Sequence, residues 1–146
     1  MKYSAILLLL SAAACGSPPS SARAHPLFAG AWTGTQTTTL LCGSSSTSSA
    51  APWAATFSEL PEGVRFTSTP DVAGVQASCT FDFSVAGDVA SLEGAPFVCA
   101  AGANLVTYTA ISLTSDGAHL AGVVTATVTT ADVQTCTLSQ AIEAAR

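Results

Sequence analysis

The sequence predicts an all-β domain, an eight-stranded antiparallel up-and-down β-barrel with two disulfides, and three observations predict it. Beyond the N-terminal segment, apolar and polar residues alternate with period two, as on a strand with one buried face. Short turn sequences built from Gly, Pro, Asp and Ser interrupt that alternation repeatedly. Four cysteines sit near the ends of the predicted strands, where an up-and-down barrel brings all four to one end.

The first strand, residues 32–42, is rich in Thr and has high β propensity. Residues 43–52, mostly Ser, Thr and Ala, read as a loop. The second and third strands, 54–60 and 64–69, flank the tight-turn sequence Pro61-Glu62-Gly63. The fourth, 79–85, alternates most clearly, with Cys79, Phe81, Phe83 and Val85 on one face and Thr80, Asp82 and Ser84 on the other. Gly87-Asp88 turns the chain into the fifth strand, which begins at 89–92 and runs irregularly past Pro96 to Cys99. The sixth and seventh, 105–114 and 119–129, flank the hairpin signal Ser115-Asp116-Gly117. The eighth, 133–142, places Cys136, Leu138, Gln140 and Ile142 on one face, and the chain end has room for a turn of helix.

Starting the first strand at the top puts Cys42, Cys79, Cys99 and Cys136 together at the bottom. Fourth and fifth strands are neighbours, as are first and eighth. Of the three possible pairings, topology therefore favours Cys79 with Cys99 and Cys42 with Cys136. The expected tight turns lie at the top. The longer segments 43–52, 70–77, 100–104 and 130–132 lie at the bottom, which predicts a narrow end and an open, loop-rich one.

The whole chain is 146 residues with 9% charged, against about 25% in an average soluble domain. Four Lys and Arg against nine Asp and Glu leave a net charge of -5. That balance argues against nucleic acid, since phosphate binding requires clustered cations. Lys2 followed by the apolar run Ala5 to Leu10 reads as an export signal, too short for a membrane-spanning helix. Ala12-Ala13-Ala14 directly before Cys15 resembles the lipobox of bacterial lipoproteins. That resemblance implies a signal peptide of residues 1–14, acylation of Cys15 and a flexible tether over 15–27, with the barrel domain at 28–146. Gly16 after the Cys implies outer-membrane rather than inner-membrane retention. The rival reading takes Ala22-Arg23-Ala24 as a cleavage site, with a freely secreted protein beginning at His25. Either way the odd fifth cysteine leaves the folded chain, and the even set suits disulfides rather than zinc.

Gly30-Ala31-Trp32 at the opening of an eight-stranded meander resembles the G-x-W of lipocalins and avidin-like barrels, the calycin type. The resemblance implies that Trp32 closes the narrow end against a basic residue after the last strand, and Arg146 stands there. The turn motif that lipocalins carry between sixth and seventh strands is replaced by Thr114-Ser115-Asp116-Gly117.

No catalytic constellation, metal set or cofactor motif stands out: His25 falls in the tether, and Asp116 and His119 are turn residues. A non-catalytic binding barrel is the better expectation. If Trp32 faces inward, alternation turns Gly34, Gln36, Thr38 and Leu40 inward as well, joined by Phe57, Phe66, Phe81, Phe83, Val124 and Leu138. Trp32, Gln36, Phe57, Phe66, Phe81 and Phe83 are the candidate contacts for a small apolar or amphipathic ligand. Small residues at Gly34, Gly122 and Ala126 would either leave space for it or accommodate rings in a solid core. The solid core would make an envelope interaction or structural lipoprotein without a pocket.

Overall fold

The structure is a computed structural model that describes residues 25–68, 71–72, 75–76 and 79–146. The signal segment, Cys15 and the candidate cleavage site after Ala24 lie outside the described residues. Among the described residues eleven strands form: β1 (Gly30–Cys42), β2 (Ser45–Leu60), β3 (Gly63–Ser68), β4 (Asp71–Val72), β5 (Val75–Gln76), β6 (Cys79–Ala86), β7 (Val89–Leu92), β8 (Phe97–Ala101), β9 (Asn104–Ser115), β10 (His119–Thr129) and β11 (Thr135–Ala145). Every pairing is antiparallel. The chain closes as an eight-stave barrel, because β9 pairs with β7 and β8 on one side and β10 on the other, and β11 pairs with β1.

β7 and β8 together make the fifth stave. Residues 93–96 break it, and Pro96 there has no N–H to give a ladder. β4 and β5 form a separate two-stranded ladder whose register, Asp71 opposite Gln76, continues that of β3 and β6.

Burial follows alternation. On β10, Leu120, Val124, Ala126 and Val128 are buried while Ala121, Val123 and Thr125 face out. β9 departs from it at a bulge: Ala126 pairs with Tyr108 but Thr125 with Ala110, so Thr109 is extra. The inward set therefore changes parity, from Val106 and Tyr108 to Ile111, Leu113 and Ser115.

The upper end is sealed. His25 accepts backbone hydrogen bonds from Phe28 and Ala29, both at 3.1 Å, folding the entering segment across the barrel. Phe28 and Trp32 are fully buried, and the Trp32 indole N–H donates to the Phe28 carbonyl at 2.7 Å. The Arg146 guanidinium lies 4.5 Å over the Trp32 ring and donates to the carbonyls of Pro26 and Ala29. The Ser115 hydroxyl donates to Leu27, and the His25 backbone N–H to the Glu59 carboxylate. His25 and Leu27, assigned to a tether on sequence grounds, are thus packed into the folded region, and the exposed Pro26 is held by its carbonyl.

Both favoured disulfides form. Cys42–Cys136 extends the β1–β11 ladder by one pair, with Cα atoms 4.4 Å apart. Cys79–Cys99, Cα atoms 6.1 Å apart, ties β6 to β8 below the point where β6 and β7 stop pairing.

The lower end differs from expectation. Residues 43–52 are not a loop: β1 and β2 continue as one hairpin to the two-residue turn Gly43-Ser44, where Gly43 has φ +59°. Ser and Thr serve a ladder well. The missing alternation reflects exposure of both faces, since every residue of 45–52 is exposed. Residues 102–103 are likewise a tight turn rather than a loop. The last strand starts two residues later than predicted and stays extended to Ala145, with no helical turn.

Candidate functional site

Below the sealed end the barrel is hollow. A cavity of about 700 Å³ runs down its interior, a volume typical of small-molecule sites. Its two walls differ in chemistry because different staves supply them.

Aromatic rings cover one wall. β2 contributes Trp53 and Phe57, β3 Phe66, β6 Phe81 and Phe83, and β9 Tyr108. Their rings form a continuous chain: Phe83 to Phe57 at 6.1 Å, Phe57 to Phe66 at 5.2 Å, Phe66 to Phe81 at 6.1 Å and Phe81 to Tyr108 edge-on at 5.0 Å. Trp53 extends the chain from Phe66 at 6.1 Å. The opposite wall carries Gln36, Thr38 and Leu40 from β1 and Leu138, Gln140 and Ile142 from β11, with Val124 from β10. Gln140 donates from Nε2 to the Thr38 hydroxyl at 3.0 Å across the β1–β11 ladder. Thr47 and Ser49 of β2 continue this polar side sideways, Ser49 opposite Thr38 and Thr47 opposite Leu40.

Among the described residues, no Asp, Glu, Lys, Arg or His lines the cavity. Tyr108 is the one titratable group there, and burial pushes its phenol up to about 12, so it stays neutral. The charged residues lie elsewhere. Arg65 and Asp82 pair bidentately on the outer surface, at 2.7 and 2.8 Å. The side-chain hydrogen bond between them raises the guanidinium and lowers the carboxyl. Asp116 is held down to about 2 by the backbone N–H groups of His119 and Ala118, then by the His119 ring. It caps an exposed turn at the sealed end. Among the described residues, no group of three or more His, Cys, Asp or Glu is placed to hold a metal ion.

Of the six residues singled out on the sequence, Gln36, Phe57, Phe66, Phe81 and Phe83 line this cavity. Trp32 does not; it belongs to the seal above. Gly34 and Gly122 leave no space for a ligand. A Cβ on Gly34 would strike the Glu143 carbonyl of β11, and one on Gly122 would lie 2.7 Å from Leu113. These glycines allow close strand approach and internal packing.

Sequence reasoning missed Tyr108, Ile111 and Leu113, because the bulge at Thr109 breaks the period on which their placement depended. It missed Trp53 because Pro52 marked the supposed end of a loop. Extending the odd-numbered parity of Phe57 and Ala55 back by one pair would have found it.

Compared with known proteins, the chain matches no family model, no curated protein and no solved structure.

Proposed function

We propose that this chain is an exported, non-catalytic β-barrel that binds a small apolar or amphipathic molecule, held at the bacterial outer membrane through a lipid on Cys15. The observation that carries the binding reading is the roughly 700 Å³ cavity with a continuous wall of rings and, among the described residues, no charged lining. Side chains fill small barrels that bind nothing. The seal over Trp32 and Arg146 supports a calycin-like reading, in which a ligand enters from the opposite end. Export rests on the sequence signal alone, as does the choice between an anchor at Cys15 and release after Ala24.

Native mass spectrometry of protein taken from its own cells tests both parts. A co-purifying small molecule together with acyl mass on Cys15 is the expected result. Protein that binds no apolar probe in solution sinks the binding reading, and a mass beginning at His25 sinks the anchor. A second reading, an envelope interaction module, draws on the apolar side chains exposed on the lower half: Leu41, Val98, Leu105 and Val133. Cross-linking in intact cells through those positions would capture a protein partner if that reading holds.

A further inference from the structure

We propose that the cavity selects an uncharged ligand, one whose apolar body packs on the ring wall while a neutral hydrogen-bonding group meets Gln36 and Gln140. This rests on the cavity being a binding site and adds the chemistry of what it accepts.

The polar lining runs across β11, β1 and β2, with hydroxyls at Thr38, Thr47 and Ser49, and its two amides, Gln36 and Gln140, stand on the adjacent staves β1 and β11. Thr38 stands opposite Gln140, and Gln36 opposite Ile142, in the β1–β11 register. Both Gln side chains are half-buried and line the cavity. Gln140 commits one amide hydrogen to Thr38, leaving its carbonyl available. The Gln36 amide makes no hydrogen bond to any described residue, so its donors and acceptor face the cavity unmatched by protein. A half-buried amide without protein partners gains by meeting a ligand that donates and accepts.

Charge selection follows from the same lining. A carboxylate entering here would lose water and meet no cation, and an ammonium would meet no anion, since none of the described residues lining the cavity is ionic. A carboxamide or an alcohol does not carry that penalty. Either can satisfy Gln36 in both directions, which a carboxylate cannot, because it only accepts.

The test uses the full exported chain and N-phenylnaphthylamine as a fluorescent probe of the cavity. Its displacement is measured with three ligands of one shape: para-phenylbenzamide, para-phenylbenzoate and para-phenylbenzylammonium. The amide should displace the probe at concentrations about tenfold or more below either ion. Gln36→Leu should remove about tenfold of that preference, read as the ratio of amide to ion displacement within the variant, and Gln36→Lys should reverse it in favour of the benzoate. Gln140→Leu, on the other strand, gives the same readout if a Gln36 variant does not fold. Benzoate or benzylammonium binding as tightly as the amide would overturn the proposal with the binding reading intact. Failure of the probe and of all three ligands to bind would overturn both.

Discussion

Removing the two disulfides one at a time should destabilise the barrel unequally, and the structure sets the order. Cys42–Cys136 spans a sequence separation of 94 and Cys79–Cys99 one of 20, the second lying inside the first. In the chain-entropy treatment, loops of these lengths correspond to about 4.7 and about 3.3 kcal/mol at room temperature. Nesting lowers both losses equally, because each variant is compared with the same two-disulfide protein. With Cys79–Cys99 intact, the larger loop is shortened by the inner separation and its contribution falls to about 4.4 kcal/mol, while that of Cys79–Cys99 falls to about 3.0 kcal/mol. The Cys42→Ala/Cys136→Ala protein should therefore lose about 1.4 kcal/mol more than Cys79→Ala/Cys99→Ala. Both losses are large beside the total stability of a domain this small. Equilibrium denaturation in urea, with the slope m followed in each variant, measures both losses. A greater loss on removing Cys79–Cys99 would refute the argument. It would mean that the bridge from β6 to β8 matters through native-state packing at a break in the ladder, rather than through the unfolded chain.

Three further outcomes follow from single sites. Gly34→Val should cost about 2–4 kcal/mol in chemical denaturation, because any Cβ there meets the Glu143 carbonyl on the neighbouring strand; an unchanged midpoint would show that β1 and β11 can part freely. Val133 holds a left-handed backbone, φ 62°, with its side chain 81% exposed, so Val133→Asn should stabilise by about 1 kcal/mol, read as a raised melting temperature. Asp116 has its folded pKa depressed to about 2, so its contribution is present above the ordinary carboxylate range and is lost as pH falls from about 4 to about 2. Asp116→Asn should flatten the melting-temperature profile across that window, and an unchanged acid limb would count against the turn-capping role.

Much of the fold was legible because one signal, period two, governs a barrel from end to end. Cys79 to Val85 shows it unbroken, and the burial of Cys79, Phe81 and Phe83 follows. The cysteine pairing was legible for a related reason: in an up-and-down chain, strand number alone fixes which ends meet. Legibility failed where the period was masked or shifted. Residues 45–52 pair with β1 but expose both faces, so polarity imitated a loop. Thr109 inserts one residue into β9 and moves Ile111 and Leu113 onto the inner face.

The sequence by itself determined the all-β class, the strand order, the pairing of the four cysteines and the inward direction of Gln36, Phe57, Phe66, Phe81 and Phe83. Each is a consequence of local alternation and chain order. Whether those side chains meet or leave a space was decided by the tertiary structure, because filling a barrel depends on the distance between opposite staves. That distance is set by closure, bulges and close strand contacts such as Gly34 against Glu143. The same closure moved Trp32 out of the candidate site and into the seal beneath Arg146.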